Sequence, residues 1–383
     1  MAKLIRKRFV DVALETEYGK DPGADRVALL PNSDLSLTVE GNTVTRDTVR
    51  DTLSPQGHVV VDRRQEVSLP LELRGAGLDE NDELKVPETD VLLRASAFER
   101  EDGARLVLTS VSGDFKRGET VQNTTAEETA GTVADWDPEE KTLYLRDLQA
   151  MPDASDELEG EDSEAAGTVD AAADAWVYRP ASPRPNDQDS VYLRYDLDGN
   201  LHKVAGARAT FSLNITRAEI PQITFTLSGK YLEPAPGGPI SGEYLDQVPT
   251  PALGARMTIG NLDMQQVAVN SVQADMANEV QPRNDMQAED GFRGFLITER
   301  DPTGSVDPEV TGLGDFNPYK DWSQGNYVAI AAGIGTGAGR RVRLVMPRTQ
   351  YTQLPYDSRN GIATYDLGFR ATGEDDELML VYS

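Results

Sequence analysis

The sequence predicts a mainly β protein, a β-sandwich with one short helix and a small inserted β subdomain. The clearest observation is the stretch Phe211–Gly229, in which Phe211, Leu213 and Ile215 alternate with polar residues and the pattern resumes after a short break. Such alternation predicts two strands with one apolar face. The chain also has 33 glycines and 22 prolines among 383 residues, which favours many turns and short strands. Only one segment has a convincing helical pattern.

The first hundred residues are expected to hold an N-terminal arm followed by strands. Residues 1–30 are typical of an arm with a short apolar segment, and Asp34–Glu40 and Glu66–Arg74 alternate as strands do. Pro70 cannot donate to a ladder, which predicts an edge strand or a bulge there. Between these strands, Thr45–Val59 carries alternating charges and a Pro-Gln-Gly break, which predicts a long protruding loop or ribbon.

The predicted helix covers Pro87–Arg100. Pro87 suits the first turn, and Glu88 and Asp90 favour the positive end of the helix dipole. Leu92, Leu93 and Ala97 can share one face.

Residues 105–180 change in character and are predicted to form an inserted β subdomain. The motif AGTV occurs at Ala130–Val133 and again at Ala166–Val169, and Thr142–Leu148 is a strand pattern between them. The acidic stretch Met151–Gly167 is predicted to be a loop. The sequence therefore divides into 1–104 (the arm, the first part of the sandwich and the helix over 87–100), 105–180 (the insert) and 181–383 (the second part of the sandwich and the C-terminal strands).

The charge balance is strongly acidic, with 37 Lys and Arg against 65 Asp and Glu and a net charge of −28. Such a chain repels polyanions at non-specific sites. Two interpretations stay open. The acidic residues are spread over the surface, as in a protein from a halophilic source, or some of them line a path along which a polyanion must pass without binding. No apolar run reaches the roughly 20 residues that span a bilayer, and the basic start MAKLIRKRFV lacks the apolar region of a signal peptide. We expect no membrane contact, and we expect the basic start to meet another copy of the chain.

Residues for catalysis or metal binding are scarce. There is no cysteine, and the two histidines, His58 and His202, lie in or beside predicted turns. Asp196–Asn200 resembles the start of a calcium loop but lacks the closing glutamate, and Gly333–Gly339 precedes a strand rather than a helix. The sequence predicts no enzyme, no cofactor and no metal site.

Four stretches together resemble the tail tube proteins (major tail proteins) of tailed bacteriophages. They are a charged loop followed by a strand ending in ELRGAG, the helix DVLLRASAFER, the run from DGNLHKVAGARAT to FTLSGKYLEP, and a C-terminal strand–loop–strand pattern. Their bounds are Val44–Gly77, Asp90–Arg100, Asp198–Pro234 and Val342–Ala371. The order and spacing of these stretches carry the resemblance, which covers most of the chain outside the insert.

The resemblance implies a structural subunit. Six copies would form a ring whose inner sheets complete a hexameric β-barrel, and rings would stack into a hollow tube. The tube would house the tape-measure protein and conduct double-stranded DNA into the host without binding it specifically. Tail terminator and distal tail or baseplate proteins would bind its ends. The expected location is the virion tail, assembled in the host cytoplasm.

Two groups of residues are candidates for roles in such a tube. The polar residues that alternate with the apolar ones in and beside Phe211–Gly229 are predicted to face the lumen, unless another sheet or ring covers them. They are Thr210, Ser212, Asn214, Thr224, Thr226 and Ser228. Basic and acidic residues of the N-terminus and of the charged loop predict inter-ring contacts, with a plain solvated loop as the alternative: Arg6, Lys7, Arg8, Arg46, Arg50, Asp51, Arg63 and Arg64.

Other functions remain open at this stage. A carbohydrate- or cell-surface-binding β-sandwich predicts an aromatic platform or a calcium site, and a polysaccharide hydrolase predicts depolymerase activity. An insert that projects outward would crowd a sheath, which favours a long non-contractile tail.

Overall fold

The computed structural model describes residues 3–383 except 24, 238–239, 261, 263 and 265–266. Its first part contains one helix and five strands: β1 (Arg8–Leu14), β2 (Val27–Leu29), β3 (Ser36–Thr45), β4 (His58–Glu72), α1 (Asp90–Ala95) and β5 (Phe98–Ser112). Next come β6 (Thr120–Asn123), β7 (Glu128–Asp137), β8 (Thr142–Arg146), β9 (Glu157–Gly160) and β10 (Ala166–Pro180).

The rest of the chain returns to long strands. They are β11 (Val191–Leu197), β12 (Asn200–Thr216), β13 (Gln222–Tyr231), β14 (Ala235–Pro236), β15 (Arg256–Ile259), β16 (Val269–Asp275), β17 (Asn278–Asn284), β18 (Phe292–Arg300) and β19 (Thr303–Pro308). The last elements are α2 (Pro318–Gln324), β20 (Val328–Ile334), β21 (Val342–Gln353), β22 (Tyr356–Arg359), β23 (Ile362–Tyr365), β24 (Leu367–Ala371) and β25 (Met379–Tyr382).

The main body is a mainly antiparallel β structure, which confirms the predicted mainly β fold class, although α2 adds a second short helix to the one predicted. One run of strands has the order β3-β4-β13-β12-β16-β19-β24-β21. The long β12 shifts register between Ala205 and Arg208 and pairs at its start with β11, which leads to β1 and β2. Strand β21 also pairs with β20 and β25, and β25 leads to β10 and β5.

The core of the main body lies under the apolar faces of these strands. Leu69, Phe211, Phe225, Phe369 and Tyr382 are fully buried in one cluster. Removing a side chain of this size from water stabilises the fold by about 1.5–3 kcal/mol. The alternation of the sequence is therefore the pattern of a sheet with one face in this core.

Residues 104–169 have a core of their own. Strands β5, β8, β7, β6, β9 and β10 pair in that order, and β10 pairs back with β5, so the six strands close on themselves. Leu106, Val121, Trp136, Leu145 and Leu158 are buried inside. Closure leaves no free edge in this ring of strands, so the unit offers no open strand for pairing with another chain.

The helix prediction is corrected in its length. Only Asp90–Ala95 is helical, because Ala97 adopts a left-handed φ of 59° and Phe98 already starts β5. Pro87 lies before the helix, and its carbonyl accepts the Asp90 N–H.

Three further expectations about local structure are also corrected. Arg8–Leu14 is a largely buried strand between β11 and β2, so the N-terminal arm is much shorter than residues 1–30. The acidic stretch contains strand β9. Strand β4 lies between β3 and β13, and its pairing with β13 has no bulge at Pro70. The proline is tolerated because β3 begins only at Ser36, opposite Ser68, so Pro70 lies beyond that ladder, where its carbonyl accepts the Asn32 N–H.

Candidate functional site

The polar residues of β12 and β13 form one continuous surface, which we call the polar sheet face: Thr210, Ser212, Asn214, Thr224, Thr226 and Ser228. Register places Thr210 opposite Thr226 and Ser212 opposite Thr224, while Phe211 and Phe225 point to the other side, into the core. Asn214 is exposed and the other five residues are half-buried. The strand pattern thus brings together all six predicted lumen residues.

Carboxylates flank this uncharged centre. On β4, Glu66 pairs with Ser228 and Glu72 pairs with Gln222, and on β16 Asp275 pairs with Ser212. Arg208 is the register partner of Ser228 but is almost fully buried, so the accessible cations nearest the centre are Arg64 and Lys230, at the end of the face where β13 finishes. There Arg64 is paired with Glu40 at 2.6 Å, and Lys230 lies over the Tyr18 ring at 5.3 Å. The centre of the face therefore presents hydroxyl and amide groups between negative flanks.

One end of the polar sheet face is covered by the chain itself. The Asn278 N–H, at the start of the β17–β18 hairpin, donates to the Thr210 hydroxyl at 2.9 Å. Thr210 is therefore partly engaged within its own subunit, in contrast to the expectation of a free surface residue. The hairpin covers this end because the chain turns back directly after β16, which pairs with the end of β12.

A buried guanidinium stands beside this covered end. Arg208 is almost fully buried and donates to the carbonyls of Gln188, at 2.7 Å, Asp189, at 3.2 Å, and Phe295. It also lies 5.3 Å from the centre of the Tyr18 ring. Burial lowers the pKa of Arg208 below its ordinary value. The three carbonyls and the Tyr18 ring thus stabilise the buried Arg208 cation, and its bond to Phe295 holds the β17–β18 hairpin against β12.

The charged loop is a protruding ribbon, as the sequence predicts. We call residues 39–64, the end of β3, the loop 46–57 and the start of β4, the ribbon. Nearly every residue from 41 to 60 is exposed, and Val49 and Leu53 are completely so. Arg46 and Asp51 are exposed on the loop, where Arg50 donates to the Ser54 carbonyl at 3.2 Å.

The base of the ribbon is tied to its own subunit. Arg63 is 3.1 Å from Asp290 in the β17–β18 turn, and Arg64 is 2.6 Å from Glu40 on β3. Exposed pairs of this kind contribute roughly 0–1 kcal/mol each. These two predicted contact residues therefore also help to orient the ribbon.

The basic residues of the N-terminus lie near the β11–β12 turn. Lys7 is 3.8 Å from Asp198, and Arg8 donates to the Leu35 carbonyl at 3.0 Å, while Arg6 is exposed. Asp198 and Gly199 form this tight turn with positive φ values of 49° and 90°, which supports the turn interpretation of the calcium-like motif. Whether Arg6, Lys7 and Arg8 contact another ring stays a prediction.

An ion-pair network fixes the insert to the main body. Asp135, on β7, is fully buried between Arg117, at 2.5 Å, and Arg343 on β21. Arg343 also bonds Asp137 at 3.1 Å. Burial opposes the charge of Arg343, but Asp135 and Asp137 raise its pKa above the ordinary value. The insert is therefore locked in orientation by buried charges as well as by strand pairing.

The structure does not bring the two histidines together. His58 is exposed at the start of β4, whereas His202 lies 5.7 Å from the Tyr195 ring and burial lowers its pKa. Within the residues that the structure describes, no three His, Cys, Asp or Glu side chains are grouped so that they could hold a metal ion. Among those same residues, no helix has both the length and the apolar character needed to cross a membrane.

Sequence reasoning missed one aromatic cluster. Tyr356 stacks on Tyr365 at 5.2 Å between ring centres, and Tyr319 lies 6.2 Å from each of them. Tyr356 is largely exposed. These residues come from α2 and from the β22–β23 hairpin, so that only the tertiary structure reveals them as a group.

Together, the sandwich, the polar sheet face and the exposed ribbon define the class: a mainly β protein with a long projecting hairpin and an uncharged polar sheet face. A family model described as phage tail tube protein matches residues 6–371, nearly the whole chain. The chain therefore belongs to the phage tail tube proteins. It is a structural component of a virion tail, and membership implies assembly with copies of itself and with other tail components. A comparison with curated proteins finds no match.

Proposed function

We propose that this protein forms hexameric rings that stack into a hollow tube whose lumen is lined by the polar sheet face. The observation that carries the proposal is the uncharged centre of that face between the carboxylates of Glu66, Glu72 and Asp275. Affinity for DNA depends mainly on Lys and Arg contacts with phosphates. A wall of hydroxyls and amides with negative flanks is hydrated but does not hold a polyanion.

The edge of the sheet supports closure into a ring. Among the residues that the structure describes, β3 pairs with β4 alone, so its other edge has no strand partner there. Open edges invite pairing with another strand, and a closed barrel removes them. In the proposed ring the β3 edge meets the sheet of a neighbouring copy, and the inner sheets together complete the barrel.

The remaining partners follow from this arrangement. The lumen houses the tape-measure protein before infection and conducts double-stranded DNA during it. Tail terminator and distal tail or baseplate proteins bind the two ends of the tube. The insert, residues 105–180, faces outward, which favours a non-contractile tail, and assembly takes place in the host cytoplasm. The ribbon residues Arg46, Arg50, Asp51, Arg63 and Arg64, together with Arg6, Lys7 and Arg8, contribute to contacts between rings.

Lysine substitutions on the polar sheet face test the lumen assignment. Thr224→Lys and Thr226→Lys place cations on a half-buried polar surface, so we expect folding and tube formation to persist and DNA release to slow. The measurement is the rate of DNA ejection from purified virions carrying each variant, with electron microscopy of the tails.

Thr109→Lys is the matched control, because Thr109 is exposed on β5 of the insert, away from the polar sheet face. It should leave ejection unchanged. Normal ejection through intact tubes in which every subunit carries Thr224→Lys or Thr226→Lys would show that this face does not line the lumen. Purified wild-type protein that stays monomeric at every concentration and salt would count against the tube itself.

A further inference from the structure

The long strands give the molecule two opposite ends. Lys230, near the end of β13, is opposite Arg64, and five residues of β4, His58 to Asp62, continue past the last residue of β13 into the ribbon. At about 3.3 Å per residue, this stem alone projects about 16 Å. At the other end, Gln222 pairs with Glu72, and residues 217–221 turn from β12 into β13.

The tip of the ribbon exposes apolar side chains. Val49 and Leu53 have relative exposures of 102% and 107%, so they contact essentially nothing in their own subunit. Charged residues of both signs surround them: Arg46, Asp47, Arg50 and Asp51. Because they are fully exposed, these two side chains would remove apolar area from water if another protein covered them.

A groove of matching character lies at the opposite end of the strands. Its cavity volume is about 460 Å³, and its apolar lining comes from Ile215, Ala252, Leu253, Met257, Val267 and Val269. Three charged residues stand around it: Glu139, Arg217 and Arg256. Most of this lining comes from residues 252–257 and from the start of β16, beside the C-terminal end of β12.

We propose that Val49 and Leu53 of one copy dock in this groove of a second copy. The inference rests on the proposed tube function and names the site where the ribbon binds. Asp47 and Asp51 complement Arg217. Glu139 and Arg256 are 3.5 Å apart in the single chain, and Arg256 also pairs with Glu140, so the charges of the ribbon tip would extend this exposed ion-pair group.

The geometry of this contact suits a stack. The ribbon and the groove are different surfaces at opposite ends of one chain, so the contact is heterologous and leaves a free ribbon and a free groove after each step. Repetition along one direction gives an open-ended assembly. Since the strand direction separates the two surfaces, each step adds a copy end to end, as one ring above another.

The absence of cysteine from the sequence makes a direct test possible. Leu53→Cys marks the ribbon and Leu253→Cys marks the groove, and both positions are exposed, so that folding should be preserved. A disulfide forms only when the two Cα atoms approach within about 7 Å. The double variant, assembled and mildly oxidised, should lose its monomer band on a non-reducing gel and give a ladder of covalent oligomers.

Mixing the two single variants should give a covalent dimer and nothing larger. Each single variant alone should stay monomeric on the gel. The matched control pairs Leu253→Cys with Met286→Cys, since Met286 is equally exposed, at 98%, but lies in the β17–β18 turn. This control should give no ladder.

Each outcome separates the two proposals. Tubes that form without the ladder, or a dimer of the Leu53→Cys variant alone, overturn the groove assignment and leave the tube function standing. If neither wild-type nor variant protein forms rings or tubes in electron micrographs, the proposed function fails, and this inference fails with it.

Discussion

The ribbon and the insert both project from the main sheet, but the insert has a buried core of its own and the ribbon has none. The insert closes six strands around a buried core and is anchored through Asp135 and Arg343. The ribbon has no core, and its tip residues Val49 and Leu53 contact solvent alone. The two segments therefore differ in how much buried apolar surface stabilises them within one chain. The insert has a buried core within one chain, whereas the apolar side chains at the ribbon tip are not buried in theirs.

This contrast predicts where substitutions act. Changes in the insert should appear in the unfolding of the single chain, and changes at the ribbon tip should appear in assembly. Intrinsic fluorescence can follow the insert, because Trp136 lies in its core and the chain has only two other tryptophans, Trp176 and Trp322. Replacing those two by Phe leaves Trp136 as the single reporter.

Asp135→Asn should have the largest effect on stability. The substitution keeps the shape of the side chain but leaves Arg343 and Arg117 without their shared carboxylate. Breaking a buried ion pair in this way costs about 3–5 kcal/mol of unfolding free energy. Denaturant titration of the Trp136 reporter measures the change. Asp153→Asn, at an exposed insert position, is the control, and equal midpoints for the two variants would show that the anchor does not stabilise the insert.

Leu145→Ala should destabilise the insert by about 2–5 kcal/mol, because it removes buried methyl groups and leaves a cavity. Leu145 is fully buried in the insert core. The same change in the ribbon, Leu53→Ala, is the matched comparison and should shift the unfolding free energy by less than about 0.5 kcal/mol, as is usual for surface sites. Similar losses at both positions would contradict the difference between the two regions.

Leu53→Ser should have the smallest effect on the folded chain and a visible effect on assembly. The side chain is fully exposed, so thermal unfolding of the dissociated protein should be unchanged. Tubes should become shorter, since each contact between rings loses apolar area. Length distributions in negative-stain micrographs measure this, with Met286→Ser as the control. Wild-type tube lengths for Leu53→Ser would place the ribbon tip outside the contact.

The sequence predicted what depends on local periodicity. The alternation around Phe211 and Phe225 reported the sheet, because successive residues of a strand face opposite sides whatever the rest of the chain does. The charge pattern and the break at Pro55 predicted the ribbon for the same local reason. The length of the helix could not be predicted, because the helix ends at the left-handed conformation of Ala97 and alanine is not a residue type that indicates such a conformation.

Features that join distant segments could not be predicted in this way. Asp135 and Arg343 are 208 residues apart, and neither stands out in a chain with so many charged residues. Arg208 sits next to a register shift, and its partners are backbone carbonyls, which leave no trace in the sequence. Val49 and Leu53 do stand out as isolated apolar residues between charges. Their exposure follows only from the absence of a core around the ribbon.

The shared strands of the insert have a consequence if the insert faces outward on the tube, as proposed above. Strands β5 and β10 pair from Phe98 and Pro180, where the insert joins the main body, to Ser112 and Ala166 at the far end, and no linker separates the two parts. With no hinge, the inserts of a helical tube would form a regular lattice with the spacing of the tube. A ligand with several weak sites at that spacing would bind with an avidity far above its affinity for one copy. The rigid junction would thus turn a small domain into a multivalent surface.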